Sequence, residues 1–474
     1  MYEPIGVVLG RLADDGPTVP ALTTADVTRT RAELDVRTNR LGRSFLERGA
    51  APGAIVAVSL PNGSAVVESV VAAWKLGAVP LVLSAAMPAA ERAAVLELAA
   101  SSSGGCLVVD DPAAAEPPDG DGSRLPTATP PYWRASTSGG STGRPKLILS
   151  SKPGIADPDE RTFYLRREGC TVVPGPLYHG APFLIAANSL FRGKHVVLLP
   201  KFGAESTLAA VERHRADYLP LVPTMMSRIW KLPDDVKARV DLSSLQVVLH
   251  FGSSCPVWLK QAWIDWLGPE RIHELYAGTE GQATTWIKGT EWVAHPGSVG
   301  RPANGAEMRA FGVDMAILPA GEIGEIYMKP PPGTPRTYEY VGAEAKSQGE
   351  WESLGDMGWI DDDGYVYIAD RRTDMIVTGG ANVYPAEVEA ALEQHPDVRT
   401  AVVVGLPDGD LGHRIHAIVE GSPTLTADAL ATFMADRLVR YKIPRTFEVV
   451  DAPLRDEAGK VRRSVLRDAR AGSV

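Results

Sequence analysis

Between Ala54 and Val109 the chain alternates short apolar runs with longer amphipathic stretches, and this rhythm constrains the fold more than any other feature. Ala54 to Leu60, Val79 to Leu83 and Cys106 to Val109 are Val-, Ile- and Leu-rich runs of strand length. Between them, Val66 to Leu76 and Ala89 to Ala100 are long enough to be helices. Strand, helix, strand at this spacing specifies βαβ crossovers and therefore a mostly parallel sheet. Upstream, Thr30-Arg31-Ala32-Glu33 has capping-box form, and Leu34, Leu41 and Leu46 follow at helical spacing as far as Gly49. The rhythm returns later. Phe183 to Leu190, Leu208 to Arg213 and Met225 to Trp230 read as helices; His195 to Leu199, Tyr218 to Val222 and Leu245 to His250 read as strands. The fold class is α/β.

A chain of 474 residues exceeds what one hydrophobic core usually organises. Asp111 to Pro130, rich in Pro, Asp, Gly and Ala, predicts a surface linker. From about Pro296 to Gly333, frequent Gly and Pro between short apolar runs predict a small β-barrel or antiparallel subdomain. Trp359 to Ile368 reads as a hairpin around Asp362-Asp363-Gly364. The final hundred or so residues form a further α/β unit. It has Pro385 in the first turn of a helix, strands near Val402 to Val404 and Ile415 to Val419, and a helix from Ala427 to Leu438. A net charge of −10 excludes general affinity for nucleic acid or an anionic membrane, so any polyanionic ligand must be held by local groups. Cys106, Cys170 and Cys255 match neither a zinc spacing nor a disulfide framework and are expected in the core of a reduced protein. Met1-Tyr2-Glu3-Pro4 lacks the basic and apolar regions of a signal peptide, and no apolar run nears the ~20 residues that span a bilayer. The expectation is a cytoplasmic protein with no membrane partner.

The chemistry concentrates in five segments. The first, Ser136 to Lys146, places glycines, hydroxyls and a lysine together. Glycines let backbone N–H groups turn toward a ligand, and hydroxyls and a lysine add donors and charge, which suits a polyphosphate. It is not a Walker loop, because no Gly-Lys-Ser/Thr step occurs and an apolar strand, Lys146 to Ser150, follows. Composition alone favours a flexible Gly/Ser loop, so the other segments must decide. The second segment is Tyr276-Ala277-Gly278-Thr279-Glu280: a ring to stack on a base, a hydroxyl for phosphate, a carboxylate for Mg²⁺. The third, Gly355-Asp356, offers a carboxylate to a ribose; the fourth runs Asp370 to Gly380; the fifth is Gly459-Lys460-Val461-Arg462-Arg463.

In order and spacing these segments resemble the adenylate-forming superfamily of acyl- and aryl-CoA synthetases, nonribosomal-peptide adenylation domains and firefly-type luciferases. Ser138 to Lys146 is similar to its phosphate loop, Pro176 to Gly180 to its aromatic-His segment, and Gly252 to Pro256 to its adenine-facing turn. Gly321 to Glu325, Gly355 to Gly358, Asp370-Arg371 and Gly459-Lys460 follow in the family's order. The resemblance implies a large N-terminal domain of mixed α/β sheets with a small β-barrel-like subdomain, residues 1–372. A small mobile α+β C-terminal domain, residues 373–474, would turn about a hinge near Thr373. It also implies an acid–thiol ligase that joins a carboxylic acid to AMP from ATP and then transfers the acyl group to a thiol.

By the same resemblance Ser138, Gly139, Gly140, Ser141, Thr142, Gly143 and Lys146 hold the outer phosphates, while Gly252, Ser253, Ser254 and Tyr276 face the adenine. Thr279 binds the α-phosphate, Glu280 the Mg²⁺, and Asp356 and Arg371 the ribose; Lys460 bridges carboxylate and α-phosphate. Tyr178, His179, Ala277 and Gly278 border the acyl pocket, with His179 also beside the reacting groups. Gly379 and Gly380 line the thiol channel. ATP, Mg²⁺ and CoA are the implied cofactors and co-substrate. Three departures bear on specificity. No Asp accompanies Tyr178-His179, which disfavours an amino acid; Ala277 replaces a usual glycine; Leu147 follows the loop lysine, as in members acting on bulky ring acids. A carrier-protein acceptor and a catalytically silent nucleotide- or acyl-binding relative are the alternatives. A monomer or homodimer is expected.

Overall fold

A computed structural model describes residues 1–102, 104–139, 145–160, 162–457 and 459–471. Two large sheets organise the N-terminal part. In the nine-stranded sheet, Ile272–Ala277, Val247–His250, Tyr218–Leu221, Cys170–Val173, His195–Leu198 and Pro20–Thr23 run parallel, in that spatial order. Antiparallel strands close its edges, Thr284–Lys288 and Arg301–Pro302 on one side and Thr28–Thr30 on the other. In the six-stranded sheet, Ile55–Val58 lies between Val79–Val82 and Cys106–Val109, all parallel, as the alternation predicts. That sheet then continues into an antiparallel hairpin, Ala135–Gly139 with Pro145–Ser150, and onward to Tyr338–Val341.

The helix Ser64–Leu76 is buried on every face from Val66 onward and sits in the core shared by elements of both sheets. A helix apolar all round can only be stable in such a place. Its two charges are neutralised internally: Glu68 takes Arg29 and Arg37, and Lys75 takes Asp35 at 2.6 Å. The capping box read from Thr30 and Glu33 is present on the helix Arg31–Glu47, with Thr30 accepting from the Glu33 N–H at 3.2 Å. Such a cap contributes about 1 kcal/mol. The linker from Asp111 to Pro130 is more firmly attached than its composition suggests. Arg124 ion-pairs with Asp14 at 2.7 Å and donates to the Gly10 carbonyl at 2.7 Å, which staples the segment to the first helices.

The expected β subdomain is a five-stranded antiparallel sheet of Glu307–Phe311, Gly324–Lys329, Trp351–Ile360, Lys346–Gln348 and Val366–Arg371. Its hairpin turns at Asp362-Asp363-Gly364, where Gly364 has φ +81°. Asp356 lies within the strand Trp351–Ile360, inside the hairpin and not ahead of it. In the C-terminal part, Val398–Asp408 pairs antiparallel with Gly412–Gly421, and Thr446–Val450 joins parallel. Val388, Leu392, Val403, Ile415 and Leu430 form a separate core there. The helix Arg463–Ala471 is an addition to the sequence reading. Arg463 and Arg455 both reach the buried Glu389, so the charge run after Lys460 is partly internal. Cys170 is buried, but Cys106 and Cys255 are only half-buried, since each stands at the end or edge of an element. Among the described residues no helix is long and apolar enough to cross a membrane.

Candidate active site

The hairpin that brackets the Gly/Ser loop pairs Ser138 with Lys146 and Gly139 with Pro145. Gly140, Ser141, Thr142 and Gly143 lie outside the described residues. Lys146 projects from the second hairpin strand toward Glu280, with its ammonium 3.5 Å from Glu280 Oε1. The same ammonium lies 3.8 Å from the ring centroid of Tyr340, a cation–π distance. Tyr340 donates its hydroxyl to Glu280 Oε1 at 2.5 Å, and Thr337 donates to the Glu280 carbonyl at 2.8 Å. Glu280 is thus a buried carboxylate held from two sides and facing the cleft. Burial and the Glu280 hydrogen bond both raise the Tyr340 phenol, which stays protonated and keeps its donor for Glu280.

Asp356 and Arg371, read as separate motifs and expected at a ribose, are direct cross-strand partners: Asp356 opposes Arg371 in the antiparallel ladder. Arg371 Nε lies 3.4 Å from Asp356 Oδ1, while Tyr276 donates its hydroxyl to Asp356 Oδ2 at 2.7 Å. Tyr276 ends a parallel strand of the large sheet, so Asp356 joins that sheet to the β subdomain. Burial first, and the Asp356 carboxylate second, push the Tyr276 phenol well above its ordinary range. Gly252, Ser253 and Ser254 border the same cleft, directly after the strand Val247–His250.

His179 precedes the helix Gly180–Phe191 and lies beside Tyr178, with ring centroids 4.4 Å apart. Its Nε2 is buried, has no hydrogen-bond partner among the described residues, and lies 3.7 Å from Asp456 Oδ2. Burial, then the neighbouring Lys460 ammonium, lower the imidazole to about 3, so His179 is neutral near pH 7. Lys460 is delivered by the docked C-terminal part. Trp258 donates to the Ala390 carbonyl at 3.3 Å, and Lys231 donates to the Glu393 carbonyl at 3.3 Å. Gly459 has φ +75°, and a Cβ there would come within 2.6 Å of Thr224 Oγ1. Only glycine fits so close an approach, and it carries Lys460 into the cleft. Desolvation lowers the Lys460 ammonium, with Asp456 and Glu280 opposing and Arg371 adding to the shift.

Ala277, Gly278 and Thr279 line the same cleft as His179. A Cβ on Gly278 would meet Leu354 and come within 3.0 Å of Glu280 Oε2, so that edge of the pocket has no spare room. Thr373 also borders the cleft. Gly379 and Gly380 turn the hairpin Ile376–Thr378 with Ala381–Val383, and Gly379 N–H bonds the Leu411 carbonyl; the structure does not bring them to the cleft. Sequence reasoning missed Tyr340, Arg134 and Asp456. The Tyr338, Tyr340 alternation signals a shared strand face but not a carboxylate partner.

The chain matches the family described as "AMP-binding enzyme" over residues 11–123 and 136–338, and the "AMP-binding enzyme C-terminal domain" over 387–460. It belongs to the AMP-binding enzyme family. Within this family it is 31% identical over 491 residues to a feruloyl-CoA synthase from an Amycolatopsis species, covering 96% of this chain and 97% of that protein. It is 30% identical over 334 residues to the 2-succinylbenzoate–CoA ligase of Bacillus licheniformis, covering 69% of this chain and 68% of that one. Its fold superposes on the o-succinylbenzoate-CoA synthetase of Bacillus subtilis, solved with its acyl-adenylate intermediate, at a TM-score of 0.81. That alignment has 26% identity and spans 100% of both chains. The resemblance to adenylate-forming acyl-CoA synthetases therefore holds for sequence and fold alike, and the chain is an AMP-forming ligase of that type.

Proposed function

We propose that the protein condenses an apolar, bulky carboxylic acid with ATP, releases pyrophosphate, and passes the acyl group from AMP to the thiol of CoA. The observation that carries this reading is the convergence of Lys460, Glu280, His179 and the Asp356–Arg371 pair on one cleft, from two parts of the chain. The acid is ionised near pH 7 and needs no general base. What it needs is relief from charge repulsion as its oxygen approaches the α-phosphate, and preorganised donors supply that. Lys460, brought into the cleft by Gly459, bridges the carboxylate and the α-phosphate. Thr279 donates its hydroxyl to the α-phosphate. Neutral His179 offers an N–H without adding charge, and Lys146 with Ser138 to Gly143 holds the departing pyrophosphate. Asp356 accepts from the ribose hydroxyls, with Arg371 fixing it from across the ladder.

Among the described residues no cluster of three or more acidic, His or Cys side chains could build an all-protein metal cage. A single buried carboxylate suits Mg²⁺, which keeps waters and binds through one or two carboxylates plus phosphates. Glu280 is that carboxylate, and Mg²⁺ bound there would neutralise phosphate charge.

Thr373 is the hinge between residues 1–372 and 373–474, and turning about it withdraws Lys460 and brings Gly379 and Gly380 to the thiol. Tyr178, Ala277 and Gly278 shape the acyl pocket. The ring acids in the names of its relatives, ferulate and 2-succinylbenzoate, support a bulky body over an amino acid. Acid-dependent exchange of pyrophosphate into ATP tests the adenylation step, and its absence across a broad acid panel favours a silent nucleotide- or acyl-binding relative. Comparing thioester yield on free CoA with that on a phosphopantetheinylated carrier protein decides the acceptor. Size-exclusion chromatography with light scattering separates monomer from homodimer.

A further inference from the structure

Lys75, Arg192, Lys194 and Lys260 are buried cations, and each meets a carboxylate: Asp35, Glu160, Asp217 and Glu274 respectively. Arg134 is also buried, at 9% exposed, yet among the described residues it meets none. Its guanidinium lies 4.7 Å from the Trp133 ring centroid and 6.0 Å from that of Phe183. One Nη donates to the Gly180 carbonyl at 2.8 Å. A guanidinium has five N–H donors in a rigid fork, so most of this one's capacity is unspent. Burial alone lowers the group, to about 10, with no neighbouring charge opposing it. A buried charge with one neutral acceptor is unfavourable unless a ligand completes it.

The position identifies the ligand. Arg134 lines the same cleft as His179 and Thr279. A Cβ on Gly180 would lie 3.5 Å from both an Arg134 Nη and the Thr279 hydroxyl, so the two groups flank one glycine. Trp133 and Phe183 pack against the guanidinium from the core side. We propose that Arg134 docks a second carboxylate on the acid, so that preferred substrates are dicarboxylic acids with an apolar body between the two groups. This rests on the ligase reading above.

The reacting carboxylate is the poorer occupant. An ion pair with it would stabilise the ground state and disappear as that carboxylate becomes a neutral acyl group, which opposes catalysis. A distal carboxylate keeps its charge through both half-reactions. Lys460, moreover, responds to Asp456, Arg371 and Glu280, while no charge acts on Arg134. Both cations line one cleft. The planar fork also suits two-point recognition of a carboxylate better than a lysine would.

The test uses the full chain with ring and chain diacids, each paired with the monoacid lacking the distal carboxylate, and follows pyrophosphate release. Wild type should favour the diacid in kcat/KM by about tenfold or more. Arg134→Met should erase the preference by raising the diacid KM, with kcat little changed, and Arg134→Lys should recover part of it. Calorimetry of diacid binding without ATP should weaken in parallel, and melting curves check that both variants fold. Monoacids used as well as diacids by wild type, or an equal loss on both acids in Arg134→Met, would overturn the inference alone. No pyrophosphate release from any acid would overturn the ligase reading and this inference with it.

Discussion

Replacing Tyr340 by Phe removes one oxygen and leaves the ring beneath Lys146. The lost group is the donor to Glu280 Oε1 at 2.5 Å, while the lysine stays 3.8 Å from the ring centroid. A hydrogen bond to a charged acceptor contributes about 1.5–3 kcal/mol. Tyr340 is half-buried, so the lower end applies, and about 1.5 kcal/mol is roughly tenfold in an equilibrium constant. The loss has a direction. Lys146, 3.5 Å from the same oxygen, then competes unopposed for Glu280 and turns the carboxylate away from the metal position. The Mg²⁺ concentration giving half-maximal pyrophosphate exchange should rise about tenfold, while the KM for the acid stays within about twofold. Titrating Mg²⁺ at saturating acid and acid at saturating Mg²⁺ measures both, and Mn²⁺ binding to the protein–ATP complex, read by electron paramagnetic resonance, checks the metal site directly. An unchanged metal midpoint, or an acid KM that rises with it, would refute the assignment of Tyr340 as the residue positioning Glu280.

Lys460→Ala should slow adenylation by on the order of a hundredfold or more, yet spare thioester formation from a supplied acyl-adenylate; rapid-quench assays of the two half-reactions check this. Gly459→Ala should act on the same half-reaction, since its Cβ would crowd Thr224 and the backbone is left-handed there; a Thr224→Ala partner change should restore part of the rate. Asp356→Asn should raise the ATP KM about tenfold and leave the acid KM unchanged, as steady-state kinetics will read. His179 has a folded pKa of about 3 against an ordinary 6.5. Its contribution to stability is therefore fully present above pH 6.5 and lost as pH falls through 3. Urea unfolding at pH 7 and pH 4.5 should show His179→Gln losing less stability on acidification than wild type.

The parallel sheets were legible because their strands are short apolar runs separated by helices whose caps and periodicity are local. The helix at Arg31 announced itself through Thr30 and Glu33. The site was legible wherever chemistry concentrates in consecutive residues, as in Tyr276 to Glu280. What sequence could not supply was adjacency across the chain. Asp356 and Arg371 read as two motifs, and only the ladder register makes them one clamp. Tyr340 and Arg134 have ordinary neighbours in sequence; their meaning comes from a carboxylate contributed by Glu280 in one case and from the lack of one among the described residues in the other. Arg124 sits in a segment whose composition says linker, and its anchoring depends on Asp14 and Gly10, more than 100 residues away.

The pairing of Asp356 with Arg371 does not stop at the clamp. The Arg372 N–H bonds the Gly355 carbonyl at 2.9 Å, and the next residue is the proposed pivot, Thr373. The proposed grip on the nucleotide and the proposed freedom to swivel thus fall on adjoining rungs of one ladder. A substitution that tightens the ribose contact should stiffen the axle of the domain turn, and one that frees the turn should loosen the nucleotide. Engineering this protein for faster turnover would then meet a built-in trade between affinity and speed, located in the three consecutive residues Arg371, Arg372 and Thr373.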